Sequence, residues 1–308
     1  MGSAICELPA GEFRDGASVF DRARHAVSFA SRSLVEVCGT VRNGRAGDRL
    51  GLGAAVMRIR AKQFLRKLSP RWEFHRERVF GWMFDCFDYY EMLTTFEIVF
   101  LSREYHFKPE TLRPRIVDCG SNIGLSVLFF KREFPDSQIL AFEPDPVTFS
   151  LLRRNVERNG LQGIELRNLA LSGSPGTRDL HCDSRRPGRT AMSLLAQCGL
   201  EERVAVPCVA LSHFIHGDVD LLKLDIEGAE LEVIEDLVLS GKIARIRQMV
   251  VEYHPAFFPG RDGYSWLRET LAKHGFVVEL RSGARPAPGN AAAPPVTLFA
   301  SRQDAGDL

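Results

Sequence analysis

The distribution of apolar and polar residues changes character at about residue 111. From there to residue 302, short apolar runs of strand length alternate with longer segments in which apolar residues recur at helical spacing. This pattern predicts seven strands, Arg115–Cys119, Gln138–Glu143, Ile164–Leu171, Val219–Leu224, Gln248–Glu252, Phe276–Leu280 and Val296–Ser301. It predicts four helices between them, Leu125–Glu133, Val147–Asn159, Ala229–Leu239 and Trp266–His274.

Regular alternation of strands and helices is typical of a doubly wound α/β sheet, in which parallel strands carry helices on both faces. No predicted helix separates the last two strands, so we expect an antiparallel strand at that edge. The predicted fold is therefore a Rossmann-like, mostly parallel seven-stranded sheet, which forms a catalytic domain over residues 111–308.

Residues 1–110 do not follow this alternation and are predicted to form a helical N-terminal region and lid. The segment Phe80–Phe107 is dense in aromatic residues. We expect it to pack on the sheet as helices, because large aromatic side chains usually dominate core burial. Tyr89, Tyr90 and Glu91 are the residues of this segment that we expect to face the site instead.

A second interruption covers Ser172–Leu211, which is polar and rich in arginine. A strand hairpin with Val204–Leu211 as one arm is favoured over a mobile loop at the mouth of the site. We expect this insertion and the aromatic segment to meet over the carboxyl edge of the sheet and together to select the acceptor molecule that binds there. Arg185, Arg186 and Arg189 would then contact an acidic or phosphorylated acceptor, unless they are simply solvent-exposed as most loop arginines are.

Composition excludes several classes of protein. The chain has 40 basic and 39 acidic residues, and a net charge of +1 does not favour nucleic acid as a partner. Its seven cysteines are scattered, without a C-x-x-C pair, which argues against a disulfide framework or a zinc site. The N-terminus does not resemble a signal peptide, and no apolar run has the length of a membrane span. We therefore expect a soluble cytoplasmic protein, with homo-oligomerisation left open.

The first chemical motif is the glycine-rich turn after the first strand, D-C-G-S-N-I-G, which runs from Asp118 to Gly124. A dinucleotide fold has G-x-G-x-x-G here and offers bare backbone N–H groups to a pyrophosphate. Asp118 would repel a pyrophosphate but attract the ammonium group of S-adenosylmethionine (SAM). Glu143, at the end of the second strand, is placed to accept hydrogen bonds from both ribose hydroxyls. The motif predicts SAM and disfavours a nicotinamide oxidoreductase.

Charged residues also follow the fourth and fifth strands, in L-L-K-L-D-I-E-G-A-E and V-V-E-Y-H-P. Strand alternation places Asp225 and Glu227 near Glu252 and His254, where one of them can act as a base. We expect His254 or Asp225 to be the base, and Glu227 and Glu252 to orient acceptor hydroxyls or a Mg²⁺ or Mn²⁺ ion. The alternative is structural: an internal pair between Lys223 and Asp225, Glu227 and Glu230 at a helix N-terminus, and His254 as an ordinary loop residue.

These strings, with A-F-E-P-D and R-N-L-A-L between them, resemble the FkbM-type SAM-dependent methyltransferases over about residues 115–254. The resemblance implies a class I methyltransferase fold and O-methylation of sugars or other hydroxyl-bearing natural products. Ser212 and His213 depart from it, since they stand where the family often shows T-L-D. The residues that we predict to contact the cofactor are Asp118, Gly120, Ser121, Asn122, Gly124, Glu143, Pro144, Asp145, Asn168, Ala170 and Asp225.

The expected function is thus O-methylation of a small-molecule acceptor by SAM. Two alternatives stay open. An N-methyltransferase of the same fold would use its carboxylates to hold a cationic acceptor, and a SAM-binding protein without turnover would keep only the cofactor pocket.

Overall fold

The computed structural model describes residues 49–68, 75–183, 192–196, 200–283 and 294–302. The chain divides into two compact units, Met1–Phe74 and His75–Leu308. The described part of the first unit is one helix, α1 (Arg49–Leu68), in which Leu52, Val56 and Ile59 recur at helical spacing. Residues 1–48 of the predicted N-terminal region lie outside the described residues.

The second unit contains the predicted sheet. Its helices are α2 (Tyr89–Phe96), which continues as a π-helical turn over Glu97–Leu101, α3 (Leu125–Glu133), α4 (Pro146–Arg158), α5 (Glu230–Leu239) and α6 (Gly263–Lys273). Its strands are β1 (Arg76–Val79), β2 (Trp82–Asp85), β3 (Arg115–Cys119), β4 (Gln138–Phe142), β5 (Ile164–Arg167), β6 (Ala170–Leu171), β7 (Gly176–Cys182), β8 (Glu202–Val209), β9 (Val219–Leu224), β10 (Ile246–Tyr253), β11 (Phe276–Ser282) and β12 (Val296–Arg302). None of the helices in the described ranges combines the length and the apolar character that a membrane span requires.

Seven strands form the central sheet in the order β11-β12-β10-β9-β3-β4-β5. The pairs from β10 through β5 are parallel, and β12 runs antiparallel to both β10 and β11. This is the class I methyltransferase fold, so the predicted fold class and antiparallel edge are confirmed. The predicted third strand is shorter than expected, because the chain leaves the sheet at Asn168, whose side chain donates to the carbonyls of Glu143 (2.8 Å) and Pro144 (2.9 Å).

The insertion forms a small sheet of its own, in the order β6-β8-β7. Strands β7 and β8 pair antiparallel from Gly176 opposite Cys208 to Cys182 opposite Glu202. The predicted hairpin is therefore confirmed. Arg185, Arg186 and Arg189 lie outside the described residues, so their predicted role stays a prediction.

The aromatic segment is only partly helical. Its first residues belong to the hairpin of β1 and β2, so the prediction of helices from Phe80 onward is wrong at that end. Further along, Phe96 stacks on Phe100 (4.9 Å between ring centroids) and Phe100 meets Phe129 of α3 edge-on (5.7 Å). The compact unit begins at His75, so residues 75–110, which the sequence pattern places in the N-terminal region, belong to the same unit as the sheet.

Asn155 of α4 connects this hairpin to the turn after β3. The side chain is buried, accepts a hydrogen bond from the backbone N–H of Asp85 (2.8 Å), and donates to the carbonyls of Asp85 and Ile123 (2.9 Å each). The three partners are backbone groups of Asp85 and Ile123, so one buried side chain links the end of β2 to the turn after β3.

We expect Asn155→Ala to lower the free energy of unfolding by about 2 to 4 kcal/mol, because a buried polar group left without a partner costs about 1 to 3 kcal/mol. Urea denaturation followed by fluorescence measures this change. Gln162→Ala removes a hydrogen bond from an exposed side chain and should leave stability nearly unchanged. Equal stability of both variants would contradict the proposed connection.

Candidate active site

A cavity of about 360 Å³ opens at the carboxyl ends of β3, β4, β9 and β10. In an open parallel sheet this edge is where ligands bind. The predicted site residues that line the cavity are Gly120, Ser121, Asn122, Glu143, Pro144, Ala170, Asp225, Glu227, Glu252 and His254. Asp118, Gly124, Asp145 and Asn168 lie outside this lining, and their contact with a ligand stays a prediction.

The glycine turn (Gly120–Gly124) forms one side of the cavity. The backbone N–H groups of Gly120 and Ser121 both donate to the carbonyl of Phe142 at the end of β4 (3.1 and 2.9 Å). Gly120 has φ +84°, and a Cβ atom at this position would lie 1.8 Å from the carbonyl oxygen of Asp225. Only glycine permits this close approach of the turn to the end of β9.

Asp118 lies behind the glycine turn and is fully buried. It accepts a hydrogen bond from Ser126 Oγ (2.6 Å), and its Oδ1 is 3.2 Å from Nζ of Lys223. The same Nζ donates to the carbonyls of Gly120 (2.8 Å) and Cys119 (3.2 Å) and lies 3.5 Å from Asp225 Oδ2. Burial disfavours the ammonium, but Asp118 and Asp225 outweigh it and raise the pKa of Lys223 above its ordinary value. Asp118 therefore acts on the turn through Lys223.

Glu143 faces the cavity from the end of β4. Its carboxylate accepts hydrogen bonds from the backbone N–H groups of Asn122 and Asp145 (2.9 Å each). Burial nevertheless raises the pKa of Glu143 to about 8. An ionisable group with this pKa changes its charge near neutral pH, so ligand binding at Glu143 is expected to be coupled to a proton.

The three other predicted residues outside the cavity support its shape. Asp145 is the N-cap of α4 and accepts from the N–H (2.8 Å) and the hydroxyl (2.7 Å) of Thr148, as predicted for a cap. Asn168 holds the two carbonyls before it in place, as described above. Gly124 precedes α3 with φ +98° and carries no side chain that could contact a ligand.

The opposite side of the cavity is a carboxylate cluster, Asp225, Glu227, Glu252 and His254. Nε2 of His254 lies 3.3 Å from Glu227 Oε2 and 3.9 Å from Glu252 Oε1. Burial lowers the pKa of His254, but Glu227 and the hydrogen-bonded Glu230 outweigh it and raise the pKa well above its ordinary value. Burial, with repulsion from Asp225, raises the pKa of Glu252 to about 8.

Glu230 supports the cluster from below. It is fully buried, lies 3.1 Å from Nδ1 of His254, and accepts hydrogen bonds from the backbone N–H groups of Gly228 (3.0 Å) and Ile226 (3.3 Å). Its place in the first turn of α5 matches the structural alternative given above. The pair between Lys223 and Asp225 is also present, so Asp225 both belongs to an internal ion pair and lines the cavity.

Tyr105 is a lining residue that the sequence interpretation missed. Its hydroxyl donates to Asp225 Oδ2 (3.2 Å), and its ring centroid is 5.0 Å from Nζ of Lys223. The expectation for the aromatic segment was wrong: Tyr89 is buried and donates to the carbonyl of Arg76, and Tyr90 is exposed. The helix instead turns Thr94 and Ile98 to the cavity, one turn later, and their i, i+4 spacing was the available signal.

Comparison with known proteins agrees with this geometry. The family model of the methyltransferase FkbM domain matches residues 118–278, slightly more than half of the chain. The chain belongs to the FkbM methyltransferase family. The match begins at Asp118 and includes the glycine turn, Glu143 and the carboxylate cluster, so the predicted family is confirmed.

Individual relatives of this FkbM-family chain cover different shares of it. The 31-O-demethyl-FK506 methyltransferase FkbM of Streptomyces tacrolimicus is 31% identical over an alignment of 219 residues, and the alignment covers 58% of this chain and 80% of that protein. Methyltransferase 1 of Beauveria bassiana is 32% identical over an alignment of 161 residues, and the alignment covers 45% of this chain and 64% of that protein. The chain thus spans just under two thirds of the length of the Beauveria relative. The crystal structure of methyltransferase FkbM from Methylobacillus flagellatus aligns with a TM-score of 0.44 at 12% identity, over 87% of this chain and 59% of that one.

We expect Gly120→Ala to lower the melting temperature by more than Gly160→Ala. Both glycines have positive φ, so each substitution costs about 1 to 2 kcal/mol of backbone strain. Only at Gly120 does the new methyl group meet backbone, whereas nothing lies within 4 Å of a Cβ at Gly160. Differential scanning calorimetry of the two variants measures the difference. Equal shifts would show that the glycine turn is free to move away from Asp225.

Proposed function

We propose that this FkbM-family protein is a SAM-dependent O-methyltransferase, which methylates a hydroxyl of a sugar or another natural-product small molecule. The observation that carries the proposal is one cavity with two chemically different sides. The glycine turn and Glu143 form the side suited to SAM, and the carboxylate cluster with His254 forms the side suited to an acceptor hydroxyl. Family membership supports methyl transfer, and the name of the Streptomyces relative specifies an oxygen acceptor.

The cofactor side fits SAM in charge and in hydrogen-bonding groups. Glu143 would accept hydrogen bonds from the ribose hydroxyls, with Pro144 and Ala170 beside the adenine and the glycine turn around the methionine part. SAM supplies a methyl group that its positive sulfur has already activated. Asp225 lines the cavity, and its negative charge favours this cationic donor.

The chain's own residues would align the acceptor and remove its proton, because the transfer is an in-line displacement. Both Asp225 and His254 were predicted as bases. Lys223 and Tyr105 already engage Asp225 Oδ2, whereas Nε2 of His254 is directed to the cavity between Glu227 and Glu252. This favours the unit of His254 with these two carboxylates over Asp225. Because the carboxylates raise the pKa of His254, the imidazole already carries a proton near neutral pH, so the acceptor's proton would pass to a carboxylate of this unit while Glu230 holds the ring from Nδ1.

A divalent cation is a second candidate for activating the hydroxyl. One ligand atom each from Asp225, Glu227 and His254 lie within 4.8 Å of one another. The two carboxylates suit Mg²⁺ or Mn²⁺, and a carboxylate on the other ring nitrogen, here Glu230, is the usual support of a metal-bound histidine. These residues would then hold the ion, and the ion would acidify the acceptor hydroxyl.

The cofactor assignment predicts a pH-dependent affinity. SAM should bind the ionised form of Glu143, and burial raises the pKa of this group to about 8. Affinity should therefore rise with pH between about 6 and 8, by up to about tenfold per pH unit. Glu143→Gln should weaken binding by about tenfold or more, because a hydrogen bond to a charged group contributes about 1.5 to 3 kcal/mol.

Calorimetric titration with SAM at several pH values tests this prediction. In Glu143→Gln, the dependence of SAM affinity on pH should lose the part that comes from ionisation of Glu143. Any part that comes from the amino group of SAM should remain. Glu165→Gln changes an exposed carboxylate on the adjacent strand and serves as the control. An unchanged affinity and slope in Glu143→Gln would contradict the assignment.

If His254 and Glu252 take part in removing the proton, variants at these positions should turn over slowly but bind SAM normally. His254→Ala and Glu252→Gln should each lower kcat by about 10² to 10⁴, as expected for loss of a general base, with SAM affinity within about threefold. His216→Ala removes an exposed histidine and should have no effect. Transfer of radiolabelled methyl to a panel of alcohols measures kcat. Full activity in both site variants would show that the base lies elsewhere.

The same assay separates the alternatives. If a chelator abolishes transfer and Mg²⁺ or Mn²⁺ restores it, a divalent cation and not a base alone activates the acceptor hydroxyl. Transfer to amines but not to alcohols would identify an N-methyltransferase, for which the carboxylate cluster would hold the cationic acceptor. Tight SAM binding without transfer to any acceptor would indicate a binding protein.

A further inference from the structure

One short segment of the insertion, Met192–Leu195, contacts the loop of residues 225–229 between β9 and α5 directly. This loop carries Glu227 and is here called the catalytic loop. Its backbone is fixed to β7, because the N–H of His181 donates to the carbonyl of Ser193 (2.8 Å) and the N–H of Ser193 donates back to His181 (3.3 Å). The buried hydroxyl of Ser193 donates to the backbone carbonyl of Glu227 and accepts from the N–H of Leu195 (3.0 Å). The segment therefore joins the small sheet to the loop that carries Glu227.

This contact is made where the catalytic loop is strained. Glu227 has φ +54°, a conformation that side-chain-bearing residues rarely adopt and that surrounding contacts must maintain. Gly228 follows with φ +108°, and a Cβ there would lie 2.8 Å from Leu195 Cδ1 and from the ring of Phe257. Ser193 holds the carbonyl of the strained residue, and Leu195 covers the glycine after it.

The direction of the Glu227 side chain depends on this backbone conformation. Its carboxylate is 3.3 Å from Nε2 of His254, so a change in φ at Glu227 would move it away from the imidazole. Glu230 fixes the N–H of Gly228 from the opposite side of the loop. Ser193 and Glu230 thus hold successive backbone groups, and removal of either one should loosen the loop.

The neighbours of Ser193 point into the cavity. Met192 and Leu194 line it together with Leu180 of β7, and these three residues form an apolar wall that packs with Ala170. Ser193, between Met192 and Leu194, joins this wall to the backbone of Glu227. An acceptor that packs on this wall would contact the same segment that holds the backbone of Glu227. Binding of the acceptor would therefore affect the position of the Glu227 carboxylate.

We propose that Ser193 is a positioning residue for Glu227, and that Met192 and Leu194 select acceptors in which the reacting hydroxyl lies beside an apolar surface. This inference rests on the proposed methyltransferase function. The insertion would then determine acceptor specificity, and the hydrogen bond from Ser193 to the carbonyl of Glu227 would connect it to the reacting groups.

The test uses Ser193→Ala in the full chain, with Ser172→Ala as the matched control. Ser172 is also buried and donates to a backbone carbonyl, that of Ser174 (2.7 Å), away from the catalytic loop. We expect Ser193→Ala to lower kcat by about tenfold, the size of a typical hydrogen-bond contribution, with SAM affinity unchanged. Amide exchange of residues 226–230 should become faster. Ser193→Thr, which keeps the hydroxyl, should recover most of kcat.

Leu194→Ala should raise KM for acceptors with an apolar face by about tenfold and leave KM for small polar alcohols unchanged, because it removes about 2 to 3 CH₂ equivalents of buried surface. If Ser193→Ala does not fold, Ser193→Cys keeps the size of the side chain with a much weaker donor and takes its place. The inference is overturned if kcat and exchange at 226–230 do not change, or if Ser172→Ala changes them equally. Exchange is measured without turnover, so faster exchange in a protein that methylates nothing would reject the methyltransferase proposal and retain the contact of Ser193.

Discussion

The buried ammonium group of Lys223 is the interaction on which the site depends. Lys223 is opposite Asp118 in the register of β9 and β3, so the sheet itself pairs the two charges. An ion removed from water is stable only when charges and hydrogen bonds replace the lost solvation. Here the carbonyls of Gly120 and Cys119 and the carboxylate of Asp225 complete that replacement. One cation thus sets the position of both the glycine turn and the first carboxylate of the cluster.

The surplus of negative charge on the other side of the cavity has a different consequence. Glu227, Glu230 and Glu252 surround a single imidazole, and repulsion among carboxylates is part of what raises the pKa values of Glu227 and Glu252. A further positive charge in the cavity relieves this repulsion, whether it is a proton on His254, a sulfonium group or a metal ion. The electrostatics of this side of the cavity therefore favour a cationic ligand over a neutral one.

The sheet, its antiparallel edge and the insertion hairpin were predictable because their periodicity and their Gly and Pro boundaries are local. The lining residues at strand ends, such as Glu143 and His254, were predictable for the same reason. The pairing of Asp118 with Lys223 was not predicted, because a local pattern does not show a partner that lies far along the chain. Tyr105 and Ser193 could not be found at all, since each acts through one hydrogen bond to a residue that is distant in sequence.

The order of the chain separates the two halves of the site. Strands β3 and β4 supply the glycine turn and Glu143, whereas β9 and β10 supply the carboxylate cluster. The apolar wall comes from the insertion between them, and Thr94, Ile98 and Tyr105 come from the segment before β3. The lining residues that lie outside the central sheet can therefore be substituted without altering the register of that sheet or the position of Lys223. Asp225 is the exception, because its backbone touches Gly120 while its carboxylate bonds Tyr105, so a change there would disturb both halves at once.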